Sequence, residues 1–243
     1  MRGPAVLAQI RAELAMQLRR GENLVVTLAI PLGVLVFFAR VDTVAADGYE
    51  DPLDFLVPGV LALAVMASAM VSLGIATGFE RRYGVLKRLG STPLSRAGLL
   101  AAKTTTVLIF EVLQIALVVA VGAALGWQVP GGILGAAGCL LVGTVAFAGI
   151  GMLLAGTLRA EANLAAANAL FLVLLFLGGM AYPLDRLPDG IAAVARVLPA
   201  AALSETVRAA LAGNPFPLGE FAVLVAWAIG ASAAAARWFN WEE

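Results

Sequence analysis

Few residue types that do chemistry occur here in a usable arrangement. Histidine is absent, the single cysteine, Cys139, sits in an apolar run, and only two lysines, Lys87 and Lys103, are present. Zinc ligation through imidazole and His-assisted serine or cysteine catalysis are therefore excluded. A phosphate-cradling loop needs Gly-x-x-x-x-Gly-Lys followed by Ser or Thr. Leu86 and Ala102 precede the two lysines, so the chain carries no such loop. No catalytic residue, metal site or bound cofactor is expected in this chain. One acid stands apart: Glu111 lies inside a long apolar run, and Gln114 follows three positions on, a spacing that puts both on one helix face. A charge at membrane depth costs about 3 kcal/mol by insertion scales, so Glu111 should be protonated, paired or facing water. It suits either a polar tie between helices or a proton relay. The tie is favoured, because the apolar runs supply no basic partner for a relay.

The elements that hold these residues are membrane helices. Hydrophobic residues make up 61% of the 243 and charged ones 13%, half the share usual in soluble domains. Six apolar runs stand near the roughly 20 residues that cross a bilayer: 24–39, 55–79, 104–126, 133–158, 164–182 and 221–236. Their continuity, without alternation, excludes barrel strands. The fold class is thus all-α integral membrane, one domain of six transmembrane helices. With the N-terminus inside, twelve of the sixteen Lys and Arg residues fall on the inner side, so both termini should be cytoplasmic. The net charge is zero, which implies no bulk attraction to nucleic acid.

Before the first run, Leu7, Ile10, Leu14 and Leu18 recur at helical spacing, with Glu13, Arg19 and Arg20 pointing elsewhere. Residues 1–22 read as a helix lying in the inner interface of the lipid bilayer, its leucines among the acyl chains. Between the first two runs, Asp42, Asp47, Glu50, Asp51 and Asp54 make an acidic outer loop, read as a solvated connector.

The most informative stretch runs from Glu80 to Lys103. Tyr83, Leu86 and Leu89 lie three apart, so a short helix would gather them on one face and leave Arg81, Arg82 and Arg88 elsewhere. Gly90 offers a stop, and Thr92 with Pro93 offers an N-cap followed by proline at the first helical position. Helix, break and second helix make a rigid protrusion. In the outer segment 183–217, Pro183, Pro188, Pro199, Pro215 and Pro217 cut the chain into pieces too short to span. There Ile191, Val194 and Leu198, then Leu203, Val207 and Leu211, fit two short helices dipping into the outer leaflet. Irregular backbone at that depth must be buried in protein or line water. Gly74 with Gly78 and Gly122 with Gly126 read as helix packing.

The segment Glu80, Arg81, Gly84, Leu86, Leu89, Thr92, Pro93, Leu94, Ser95, Lys103 resembles the loop after the second span in permeases of type 2 ATP-binding-cassette transporters. Pro183, Leu187, Pro188, Pro199 and Arg208 resemble the same family's outer segment between spans five and six. The resemblance implies a permease that couples to a separate ATPase, with ATP and Mg bound on that partner. Residues 80–96 would be the cytoplasmic coupling segment, with Glu80, Arg81, Arg82, Tyr83, Gly84, Leu86, Arg88, Leu89, Thr92, Pro93 and Leu94 meeting the ATPase. The outer segment would be a gate. A second permease copy or paralogue completes the implied assembly in the plasma (inner) membrane of a bacterium. The cargo would be an amphipathic, drug-like or lipid- or glycan-linked molecule, exported by alternating access. The alternative is an ion- or proton-coupled secondary transporter using Glu111.

Overall fold

The computed structural model describes residues 3–19, 21–40, 51–128, 131–180 and 183–241. The described residues form helices only. In chain order these are α1 (Gly3–Arg19), α2 (Gly21–Arg40), α3 (Pro52–Met66), a π-helical segment (Ala67–Ser72), α4 (Leu73–Arg82), α5 (Val85–Gly90), α6 (Arg96–Ala124), α7 (Ile133–Thr157) and α8 (Ala160–Leu177). A 3₁₀ turn (Leu184–Arg186), α9 (Asp189–Arg196), α10 (Pro199–Ala212) and α11 (Leu218–Trp238) complete the fold. Of the acidic loop, residues 41–50 lie outside the described residues. Asp51 caps α3 by accepting from Leu53 N at 2.8 Å, and Asp54 accepts from Trp127 Nε1 at 3.0 Å.

Five stretches are long and apolar enough to cross a bilayer: Pro52–Arg82, Arg96–Ala124, Ile133–Thr157, Ala160–Leu177 and Leu218–Trp238. The pair α9 and α10, bent by 81° at its break, makes a sixth if it is one span, and the apolar stretch Ala29–Arg40 of α2 is shorter. α2 packs along α3.

Burial separates the helices by position. In Pro52–Arg82, 83% of the apolar window is buried, against 28% in α6 and 22% in α8 and α11, so the α3–α4 span is the axis of the bundle. Lipid tails are as apolar as leucine, so close backbone approach and hydrogen bonds must hold the spans together. The α7 glycines supply the approach. A Cβ on Gly151 would lie 2.6 Å from Met70 O, and one on Gly149 would lie 2.7 Å from Ser232 N, placing α7 directly against the π segment and α11. Gly74 faces the Gly151 backbone, in keeping with its reading as a packing residue.

Several local expectations are corrected. The third membrane helix does not start after Thr92. Ser95 is its N-cap, its Oγ accepting from Gly98 N at 3.0 Å, while Thr92 Oγ1 donates to Leu89 O at 2.6 Å. Both residues are competent caps; the later start lets Leu94, just before the cap, and Leu99, in the first turn, bury together as a hydrophobic staple. Tyr83, Leu86 and Leu89 do not share a face. Gly84 takes the left-handed conformation (φ 71°) and separates α4 from α5, so Tyr83 is 72% exposed while Leu86 is fully buried and Leu89 half-buried. In α9 the buried face is Ala192 and Ala195, with Ile191 and Val194 exposed. In α10, Leu203, Val207 and Leu211 are buried together with the main core.

Candidate functional site

At one end of the bundle α4, α5 and the start of α6 form a sharp basic corner. Arg82, Tyr83, Lys87, Arg88, Thr92 and Pro93 are exposed on it, and Arg82 pairs with Glu161 of α8. Tyr83 stacks on Phe79, ring centroids 6.2 Å apart, so its exposed ring is held from below. Leu86 and Leu94 point inward and anchor the corner to the core.

Arg81 also points inward, contrary to its grouping with the exposed arginines. It is 5% exposed, and its guanidinium donates to Ala155 O at 2.6 Å and Leu158 O at 2.7 Å. Those carbonyls belong to the last turn of α7 and the residue after it, so the basic end of α4 satisfies the free acceptors at a helix C-terminus. Asn163 of α8 adds a bond from Nδ2 to Gly74 O at 2.8 Å. The corner, α7 and the start of α8 are thereby one hydrogen-bonded block.

A second tie was not visible in the sequence. Lys103 of α6 is 1% exposed, and its Nζ lies 2.7 Å from Glu13 Oε1 and 2.8 Å from Glu80 Oε2. Gln9 Nε2 donates to Glu13 at 2.8 Å. Glu13 docks α1 onto α6, while Glu80 joins the corner to the same lysine. Leu7 and Leu18 of α1 stay exposed, on the face the leucine spacing assigned to the acyl boundary.

Beside the corner a groove of about 640 Å³ opens among α2, the π segment, α4 and α8. Ile30, Val71, Ile75, Phe79 and Phe171 give it apolar walls, and Ser72, Glu80 and Asn168 add polar groups. Such a lining fits an amphipathic occupant.

Deeper in the bundle, Glu111 stands about 15 residues, roughly 22 Å, beyond the start of α6, farther in than its apolar run suggested. Its two carboxyl oxygens accept from Ser68 Oγ at 2.7 Å and Thr144 Oγ1 at 2.5 Å. Ser68 lies in the π segment and Thr144 in α7, so Glu111 joins three membrane helices, the arrangement a polar tie requires. Gln114 is buried one turn on.

At the opposite end, Arg208 of α10 is 5% exposed and lies 4.2 Å above the ring of Phe55. It donates to Glu205 Oε1 at 2.5 Å and Gly179 O at 2.8 Å. A cavity of about 250 Å³ adjoins it, bounded by Pro183, Asp185, Arg196, Glu205 and Glu220. Pro188 caps α9, and Pro199, buried, opens α10 at its first position; Leu187 is half-buried beside them. Among the described residues no cluster of acidic, cysteine or histidine side chains is set to hold a metal ion.

A chain whose described residues hold helices and no strands, with five to six apolar crossings and bent short helices at one end, is a multi-pass membrane protein. Residues 5–212 match the family described as ABC-2 type transporter, and the chain belongs to that family as a membrane permease. No curated protein matches it. The permease is the transmembrane part of a transporter and is not itself catalytic; the family in general works with an ABC ATPase.

Proposed function

We propose that this chain is the permease subunit of an ATP-driven exporter, powered by a separate ATPase that docks on the corner formed by α4 and α5. The observation that carries this reading is the corner itself: an exposed basic and aromatic surface wired into α1, α6 and α7 by Lys103 and Arg81, and into α8 by Arg82 with Glu161 and by Asn163. A push on α5 is transmitted through the buried Leu86 of α5 and through the hydrogen bonds and ion pair of Arg81 and Glu80 at the end of α4. ATP and Mg act on the partner, and closure of the ATPase dimer moves two such corners, one on each of two permease copies or paralogues. The outer segment around Arg208 serves as the gate, and the groove beside α4 supports an amphipathic, drug-like or lipid- or glycan-linked cargo. The protein works in a bacterial inner membrane, with both termini cytoplasmic.

The reading is tested by co-purifying the permease with its ATPase from mild detergent. Tyr83→Asp combined with Arg88→Glu should weaken capture about tenfold or more, since exposed Tyr and Arg anchors commonly carry interface energy. The permease itself should stay folded, because both side chains are exposed. Undiminished capture by this variant would remove the corner from the interface, and a permease that captures no ATPase would remove the reading altogether.

A further inference from the structure

The residues after α11 fold back beneath the bundle. Phe239 leaves the helix with extended backbone, is 2% exposed, and seats on Gly156, where an added Cβ would meet its ring at 2.4 Å. Asn240 N donates to Gly156 O at 3.1 Å, and Arg96 Nη1 donates to Arg237 O at 3.0 Å. The Trp241 ring stands edge-on to Phe239, centroids 5.6 Å apart and planes at 80°. Its indole reaches the last residue of α5: a Cβ on Gly90 would lie 3.3 Å from indole Cγ and Cδ2. The last turn of α11 and the residues after it thus touch the end of α7, the start of α6 and the end of α5 at once.

A six-residue helix has too few internal hydrogen bonds to hold its own conformation in water. Leu86 and Leu89 fix its underside, the Ser91 and Thr92 hydroxyls donate to the carbonyls of Arg88 and Leu89, and the indole packs on its final residue. We propose that Trp241 is a positioning residue for coupling: wedged between Phe239 and Gly90, it sets the angle at which α5 meets the ATPase and joins α5 to the ends of α7 and α11. A side chain at Gly90 would press on the ring, which would have to give by a few tenths of an ångström. The coupling role rests on the ATPase-driven reading above; the positioning of α5 does not.

Amide hydrogen exchange on the full chain in lipid nanodiscs tests the positioning directly. Trp241→Ala should speed exchange of the amides at 86–91 about tenfold and leave α4 and α6 unchanged, whereas Trp241→Phe, which keeps an aromatic ring at the contact, should stay near the wild type. Unchanged exchange in α5, or an equal acceleration in every helix, would overturn the proposal. With the ATPase added, Trp241→Ala should raise the ATPase concentration for half-maximal binding about tenfold without lowering the plateau. An unshifted binding curve would overturn the coupling role alone. A wild-type permease that binds no ATPase would remove the driven-exporter reading, and with it the coupling role, while the exchange result still decides what holds α5.

Discussion

Lys103→Met should cost about 3–5 kcal/mol of folding stability, the range for removing one partner from a buried ion pair. The substitution leaves Glu13 and Glu80, whose side chains are 7% and 18% exposed, side by side without their shared cation. Methionine fills much of the lysine volume, so the loss is electrostatic and not a cavity effect. Thermal unfolding in detergent should shift sharply downward, and limited proteolysis should release α1, which Lys103 holds through Glu13. Combining Lys103→Met with Glu13→Gln and Glu80→Gln should recover most of the loss, because no uncompensated charge then remains buried. A single variant that melts with the wild type would show that α1 and the corner are held by other contacts.

The second large effect is expected at the crossing of α7 and the π segment. Gly151→Leu should abolish accumulation of folded protein, because its Cβ would fall 2.6 Å from Met70 O and 3.1 Å from Ala69 O. Those atoms are backbone and cannot rotate aside, so the two spans would have to separate. Separation would also strain the Ser68 and Thr144 bonds to Glu111 between the same spans, taking the cost beyond the 1–3 kcal/mol, roughly, of ordinary overpacking. Gly138→Leu on the same helix is the control, since a Cβ there meets nothing within 4 Å. Folded-fraction measurement by size exclusion separates them: loss with Gly151→Leu and retention with Gly138→Leu are expected. Equal behaviour would mean that α7 is not held by this approach.

The membrane helices were legible because a span needs length and apolarity, which neighbouring sequence displays. The basic corner was legible for the same local reason, its charges and its Gly and Pro punctuation. Its faces were not. Spacing of three predicts a shared face only within one continuous helix, and Gly84 turns the chain between Tyr83 and Leu86. The start of α6 was misread because Thr92 and Ser95 have equivalent capping chemistry, and burial of Leu94 with Leu99 decides between them. Glu13 was placed off the leucine face but given no partner, because Lys103 is remote in sequence and meets it only when α1 lies on α6. Glu111 announced itself by type, yet Ser68 and Thr144 are ordinary residues until folding brings their hydroxyls to its carboxyl. Small residues fill these helices, so Gly151 stands out only once Met70 is seen against it.

The central claim is that ATP hydrolysis on a partner drives transport through this chain. Reconstitution of the permease with its ATPase in proteoliposomes, loaded with an amphipathic fluorescent dye, tests it most directly. Transport should require ATP, survive collapse of the proton gradient, and persist in Glu111→Gln, which keeps the shape of the carboxyl but cannot relay a proton as a carboxylate. Dye movement by the permease alone, driven by a proton gradient and lost in Glu111→Gln, would contradict the account.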